Sequence, residues 1–110
     1  MVIYEPIRER DEILLEYRGE PAEWAERMRD DLDEVVYSGA SVVVDLSAAE
    51  SIDSLTLGTL VLAHKRLMVH GGALTVVCGR SSVLEQIQRV GLDRTMPVHP
   101  HRVPAVGRHI

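Results

Sequence analysis

Two short apolar runs, SVVVDL at 41–46 and ALTVV at 73–77, constrain most strongly what this chain can fold into. Unbroken β-branched runs of this length are typical of strands that are buried on both faces, as in a parallel sheet. Parallel strands need a long crossover connection, and the residues between the two runs have helical spacing. The pair therefore predicts the centre of an α/β sheet, with 41–46 as its central strand.

Three segments carry the 3.6-residue period of amphipathic helices. In the first, apolar residues recur at helical spacing from Ala25 to Val36, and the opposite face is strongly acidic. Pro21 precedes this segment and Ser38-Gly39 ends it, as expected at helix boundaries. The other two predicted helices run from Leu55 to Met68 and from Ser81 to Val90, the last with Val83, Ile87 and Val90 facing inward.

Further strands are predicted at Val2–Ile7, Glu12–Tyr17 and Met96–Val98, which gives the order β β α β α β α β. Helices that alternate with buried strands favour a mixed sheet of four to five strands with helices packed on it. Right-handed crossovers place the carboxyl ends of consecutive strands at one edge of the sheet. The loop at 47–53 lies at this edge and is the expected functional site. We expect one domain over residues 1–98 and a flexible tail over residues 99–110, where prolines break any period.

Composition and charge exclude several classes of function. The net charge is −5: residues 1–50 hold 14 acidic and 5 basic residues, and residues 51–110 hold 3 acidic and 7 basic ones. Without a clustered basic face or aromatic platforms, nucleic-acid binding is not expected. No run approaches the ~20 apolar residues of a membrane span. A single cysteine, Cys78, forms neither an intramolecular disulfide nor a cysteine-rich metal site, so we expect a soluble, cytoplasmic protein.

The most informative segment is 42–60, which reads VVVDLSAAESIDSLTLGTL. Its strand leads Asp45 and Ser47 toward the sheet edge, and the chain then turns through Asp53 into a helix whose first residue or cap is Ser54. The positive end and free N–H groups of a helix N-terminus favour anions, so a phosphate on Ser54 would be tolerated there. Asp53 is placed to orient the serine hydroxyl.

This segment resembles the STAS domain of anti-sigma factor antagonists, in which a β-branched strand ends in Asp and a hydrophobic-Asp-Ser step leads through Leu-Gly into a helix. The matching pieces here are DLS at 45–47, IDS at 52–54 and LG at 57–58. The Gly71-Gly72 turn before ALTVV, the helix at 83–90 and Gly91-Leu92 before the last strand continue the resemblance. It covers about residues 12–98, and several spaced matches carry more weight than one motif.

The resemblance implies a STAS-like fold and a regulatory function. Proteins of this family bind an anti-sigma factor, a serine kinase of the GHKL type, and are switched off when the serine after the conserved Asp is phosphorylated. On this chain the implied phosphoacceptor is Ser54, and the implied partner-binding residues are Asp45, Ser47, Asp53, Leu55, Thr56, Leu57 and Gly58. Neither a cofactor nor an enzymatic activity is implied.

The sequence also departs from the family pattern. Leu55 and Thr56 stand where the family has a small residue and then Gly, and Ala22 stands where it has an acidic residue before the first helix. Prolines at 97, 100 and 104 interrupt the region of the helix that usually closes the fold. Two alternatives therefore stay open: a STAS subunit that docks on a transport or signalling complex without phosphorylation, and a small-anion or nucleotide-binding module.

Three of these residues also have structural interpretations. Ser54 suits a plain helix N-cap, and Asp45 and Ser47 suit hydrogen bonds that stabilise a strand end. A catalytic serine is not indicated, because Ser54 lacks the G-x-S-x-G elbow of hydrolases and 110 residues leave little room for such a fold.

The histidines and the cysteine are expected to be structural as well. His64 lies on an apolar helix face and is expected in the core. Cys78 ends a predicted buried strand and is expected to be a packed thiol. The spacing of His99, His101 and His109 would suit a metal, but no cysteine or carboxylate lies near them in sequence, so no metal site is predicted.

Overall fold

A computed structural model describes residues 3–7 by their backbone and residues 12–101 with their side chains. Within these ranges the strands are β1 (Ile3–Ile7), β2 (Glu12–Gly19), β3 (Ser41–Ala49), β4 (Ala73–Val77) and β5 (Val98–His99). The helices are α1 (Pro21–Val35), α2 (Ser54–Val69) and α3 (Ser81–Arg89), and a 3₁₀ turn at Leu92–Arg94 precedes β5. In these ranges no helix has the length and apolar character needed to cross a membrane.

The strands form one mixed sheet in the order β1-β2-β3-β4-β5. β1 is antiparallel to β2, whereas β2, β3, β4 and β5 are parallel to one another. Since each crossover steps to the next strand in the same direction, right-handed connections place α1, α2 and α3 on one face of the sheet. The prediction of a mixed sheet of four to five strands with packed helices is confirmed.

The hydrophobic core lies between this face of the sheet and the helices. Side chains of a strand alternate between its two faces, and those that enter the core from the central strands are Ile13, Leu15, Tyr17, Val42, Val44, Leu46, Leu74 and Val76. The helices contribute Trp24, Met28, Leu32, Leu60, Leu67, Val83 and Ile87. On the opposite face Asp45 and Val77 are buried, but Val43 and Thr75 are only half-buried and Ser41 and Ala73 are exposed. The runs at 41–46 and 73–77 are therefore fully buried on one face only, and the prediction of burial on both faces is wrong.

Tyr17 and Trp24 fix α1 on the sheet. Their rings stack with centroids 5.5 Å apart, and the Tyr17 hydroxyl donates a 2.7 Å hydrogen bond to Asp31 Oδ2. Trp24 Nε1 donates to the carbonyl oxygen of Gly19 at 3.0 Å. Burial, and then the hydrogen bond to the Asp31 carboxylate, raise the pKa of Tyr17, so its hydroxyl stays a donor. Both aromatic side chains therefore bury their rings while their polar atoms keep a partner.

Several element boundaries differ from the prediction: β2 ends at Gly19 rather than Tyr17, and α2 covers Ser54–Val69 rather than 55–68. β3 continues through Ala49, because its last residues still pair with β2 after β4 has ended, so the loop expected at 47–53 is limited to 50–53. α3 ends at Arg89, and Val90, expected to face inward, is 59% exposed at the helix C-cap. β5 occupies Val98–His99 rather than 96–98.

The predicted tail at 99–110 falls mostly outside the described residues, which end at 101. In its described part, His99 pairs with Val77 in β5. Pro104, in the region where the family usually has a closing helix, and Val2, at the start of the first predicted strand, also lie outside the described residues.

We expect Tyr17→Phe to lower the free energy of unfolding by about 1–2 kcal/mol, because it removes a hydrogen bond to a charged acceptor. Tyr37→Phe is the matched control, since Tyr37 is 64% exposed and loss of its hydroxyl should change stability by less than about 0.5 kcal/mol. Urea unfolding followed by circular dichroism measures both. Equal effects of the two substitutions would contradict the role assigned to Tyr17.

Candidate functional site

β3 leads into the site through a bulge. Its pairing with β2 shifts between Glu16–Asp45 and Arg18–Ala48, so β3 has one more residue than β2 at this point. Asp45 is 5% exposed, and its Oδ1 accepts the backbone N–H of Ser47 at 2.9 Å. The carboxylate thus supplies an acceptor where the bulge disturbs the strand pairing. Asp45 therefore lies within β3, as predicted, and Ser47, expected in the loop, lies within β3 as well.

The loop at 50–53 is tied to both neighbouring elements. The N–H of Glu50 donates to the carbonyl oxygen of Gly19, at the end of β2, over 2.8 Å. The N–H of Ile52 donates to Gln86 Oε1 of α3 at 3.2 Å, and the Ile52 side chain is buried in the core. These contacts fix the direction in which the chain enters α2.

Asp53 is the N-cap of α2, and Ser54 is the first helical residue. Asp53 Oδ1 accepts the backbone N–H of Thr56 at 2.8 Å, which satisfies one of the free donors at the helix start. The nearby side chain of Thr56, and then the hydrogen bond from its backbone N–H, hold the pKa of the Asp53 carboxyl below its usual value. The sequence predicts that Ser54 is either the first residue of this helix or its N-cap. In the structure it is the first residue, so the interpretation of Ser54 as the cap is wrong.

Ser54 is exposed and borders a shallow groove between α2 and the segment that follows α3. The groove has a volume of about 250 Å³ and is lined by Ser54, Leu57, Gly58, Val61, Val90, Leu92 and Thr95. We call it the Ser54 groove. Apart from the two hydroxyl groups its side chains are apolar, so it is suited to an apolar side chain of a protein partner.

A second groove lies against the first turns of α2 on the side of α1. It has a volume of about 270 Å³ and is lined by Pro21, Ala22, Ala25, Glu26, Arg29, Asp53, Leu55, Thr56 and Thr59. We call it the α1–α2 groove. Ala22, which replaces the acidic residue of the family pattern, borders it, and Glu26 follows one turn later. Carboxylates are therefore still present on this surface, together with the guanidinium of Arg29.

The predicted partner-binding residues fall into an exposed and a buried set. Leu55 is 72% exposed, and Gly58 is exposed as well. Thr56 and Leu57 are 2% and 7% exposed, so their side chains are largely buried, although Thr56 still borders the α1–α2 groove and Leu57 the Ser54 groove. Ser47 is exposed on β3. The structure therefore brings four of the predicted residues together at the exposed start of α2: Asp53, Ser54, Leu55 and Gly58.

The histidine and cysteine predictions can be compared with the described residues. His64 is 6% exposed, and its Nδ1 accepts the backbone N–H of Leu74 at 3.1 Å, so the prediction of a core histidine is confirmed. Cys78 is buried, its Sγ lies 3.7 Å from the carbonyl oxygen of Arg80, and burial raises the pKa of its thiol. Over residues 3–7 and 12–101 no three His, Cys, Asp or Glu side chains are grouped to hold a metal. His109 lies outside those ranges.

Three residues of the Ser54 groove are distant from Ser54 in sequence and are not among the predicted site residues: Val90, Leu92 and Thr95. The turn that follows α3 brings them beside α2. Gln86, the acceptor for Ile52, is equally unmarked in the sequence. The sequence gives one indication of these contacts, at Val90. This residue continues the apolar period of α3 one residue past the last helical position.

Asp53→Ala should lower the free energy of unfolding by about 1 kcal/mol at neutral pH, because it removes the N-cap of α2. Asp53→Asn is the matched control, since Asn caps helices about as well as Asp. The folded-state pKa of Asp53 lies below its usual value of 3.8. The ionised cap therefore stabilises the folded chain fully above pH 3.8, and this contribution is lost as the pH falls through the folded-state pKa.

Urea unfolding at a series of pH values measures this effect. The stability difference between the wild type and Asp53→Ala should shrink in acid, whereas the difference between Asp53→Asn and Asp53→Ala should stay nearly constant. A wild-type difference that does not depend on pH would contradict an ionised cap.

The geometry can be compared with known proteins. A family model described as the STAS domain matches residues 21–105. An anti-sigma factor antagonist from Mycobacterium paratuberculosis is 25% identical, with a TM-score of 0.79 over 92% of this chain and 86% of that chain. The Bacillus cell fate determinant SpoIIAA in its phosphorylated form is 17% identical, with a TM-score of 0.72 and coverage of 100% of both chains. Compared by sequence with curated proteins, the chain matches none.

A variant of RsbS from Moorella thermoacetica gives a similar result, with 16% identity and a TM-score of 0.73 over 92% of this chain and 87% of that chain. At 17% and 16% identity, the similarity to SpoIIAA and RsbS is evidence for the fold alone. The family model, however, spans α1, β3, the Asp53 cap, α2 and the Ser54 groove. The chain therefore belongs to the STAS domain family and has the fold of the anti-sigma factor antagonists.

Proposed function

We propose that this chain is an anti-sigma factor antagonist that binds an anti-sigma factor, a serine kinase of the GHKL type, and releases it when Ser54 is phosphorylated. The observation that carries the proposal is the arrangement at the start of α2, where Asp53 caps the helix and Ser54 stands exposed as its first residue. In this function the chain acts in the cytoplasm by protein–protein recognition, without a cofactor or a reaction of its own.

Exposure and position suit Ser54 to accept a phosphate. A kinase must reach the hydroxyl oxygen from solvent, and Ser54 is exposed. The phosphate would lie at the positive end of α2, where free N–H groups and the helix dipole favour negative charge. Phosphorylation should therefore leave the fold intact, as a reversible switch requires.

The surroundings of Ser54 supply a physical reason for release. A partner that fills the Ser54 groove with an apolar side chain must remove water from the serine. Desolvating a neutral hydroxyl costs far less than desolvating a phosphate, which carries a charge of about −1.5 to −2. The ionised carboxylate of Asp53 next to Ser54 adds further negative charge. Phosphorylation would thus oppose the contact that the neutral serine permits.

Two further observations support the proposal. Leu55 is 72% exposed beside Ser54, so the departure from the small residue of the family pattern adds an apolar contact at the expected interface. Among proteins of the same fold, the relative from Mycobacterium paratuberculosis is an anti-sigma factor antagonist, and SpoIIAA of Bacillus has a phosphorylated form.

Ser54→Asp should weaken binding to a GHKL-type anti-sigma kinase by at least about tenfold, because it places a charge beside an apolar groove. Ser54→Ala should bind as the wild type does. Ser81→Asp is the matched control, since Ser81 is exposed and is the first residue of α3. Isothermal titration calorimetry with the purified kinase measures all four affinities. Binding that is insensitive to Ser54→Asp would instead favour the phosphorylation-independent docking subunit.

Val90→Glu should weaken the same complex by at least about tenfold, because it puts a carboxylate into the Ser54 groove. Val90 is 59% exposed, so its substitution should change thermal stability little. Met68→Glu is the control: Met68 is 58% exposed on α2 and does not line the groove. If both variants bind like the wild type, the partner does not occupy this groove.

A further inference from the structure

The outer face of α2 is apolar well beyond Ser54. Six large hydrophobic side chains are exposed among the described residues, and four of them belong to α2: Leu55, Leu62, Met68 and Val69. The charged residues of this helix are Lys65 and Arg66, and it has no acidic residue. A helix on the surface of a sheet normally turns polar residues outward, so an apolar outer face points to an interaction surface.

Three of these residues, Leu55, Leu62 and Val69, recur at intervals of seven. Seven residues make nearly two turns, so the three side chains fall close to one line along α2. At 1.5 Å per residue, the line spans about 21 Å. The side chains are 72%, 57% and 80% exposed. We call this line the α2 stripe. An apolar repeat of seven is the pattern by which one helix packs along another.

We propose that the α2 stripe is the interface of a symmetric dimer, in which two copies of this chain pack α2 against α2 in antiparallel orientation. The stripe is symmetric about Leu62, because Leu55 lies seven residues before it and Val69 seven residues after it. About a two-fold axis at this position, Leu62 meets Leu62 of the second copy, and Leu55 meets Val69. The same patch then serves both copies, as two-fold symmetry requires.

The flanking charges favour this orientation. The second half of α2 carries Lys65 and Arg66. Arg66 already forms a salt bridge within its own chain, with Nη1 3.3 Å from Asp33 Oδ1. The first half borders the α1–α2 groove, whose charged groups are two carboxylates and one guanidinium, from Glu26, Asp53 and Arg29. Antiparallel packing brings the basic half of one copy next to the net acidic surface of the other. In a parallel pair, Lys65 would face Lys65, and like charges would oppose association.

The size of the stripe sets the expected affinity. One helix pair of this length buries less than the roughly 1,200 Å² at which specific, stable interfaces begin. We therefore expect a dimer that exchanges with the monomer, with a Kd of about micromolar or weaker. Ser54 is not part of the stripe, but its neighbour Leu55 belongs to both the stripe and the expected partner interface, so the dimer is tested at Leu62, which does not line the Ser54 groove.

Sedimentation velocity of the purified full chain over a wide concentration range tests the proposal without any partner. The wild type should shift from monomer to dimer, and Leu62→Glu should weaken the dimer by at least about a hundredfold, since the new charge is present on both copies at the two-fold axis. Met68→Glu, on the same helix but about a third of a turn away from the stripe, should dimerise as the wild type does. A wild type that stays monomeric throughout, or an equal loss with Met68→Glu, would overturn the proposal.

Cysteine substitutions test the orientation. Under mild oxidation Leu62→Cys should form a disulfide between two copies, because the two-fold axis brings this position next to itself. Leu55→Cys should form such a link only when combined with Val69→Cys. If Leu55→Cys alone links as readily as Leu62→Cys, the helices pack in parallel, and the antiparallel dimer is wrong. Circular dichroism of each variant verifies that the fold is kept.

Discussion

The hydrogen bond from the backbone N–H of Thr56 to Asp53 Oδ1 is the interaction on which the site depends. It sets the residue at which α2 begins, while burial of the apolar face of the helix sets its rotation about its axis. Leu57, Leu60, His64 and Leu67 then face the core, whereas the α2 stripe faces outward. Because the Asp53 carboxylate takes the capping role that a serine often fills, the Ser54 hydroxyl is left available on the surface.

The sheet places this helix start where a partner can reach it. A bulge in β3, with Asp45 as an internal acceptor, carries the strand on to Ala49. The loop that follows is then held from two sides, by the carbonyl oxygen of Gly19 and by the side chain of Gln86. A short, tethered loop loses little conformational entropy when a partner binds, so the exposed serine is presented in a nearly fixed position.

Much of the fold follows from local sequence patterns, and the site follows in part. The apolar runs and the helical periods predict the strand and helix order, because burial on one or both faces dictates each period. The position of Ser54 at the start of α2 follows from the strand-to-helix motif. The choice of Asp53 over Ser54 as the cap does not, since both residue types cap well. Gln86 meets the site through tertiary packing, which no local pattern records, and the apolar period of α3 marks Val90 as inward-facing without indicating the groove.

The most direct test of the central claim is intact-protein mass spectrometry after the chain is incubated with ATP and GHKL-type anti-sigma kinases from the same genome. We expect one of these kinases to add a single phosphate to the wild type and none to Ser54→Ala. A phosphate that persists in Ser54→Ala would place the modification elsewhere. No phosphate from a kinase that nevertheless binds the chain would contradict the switch and leave a docking module that works without phosphorylation.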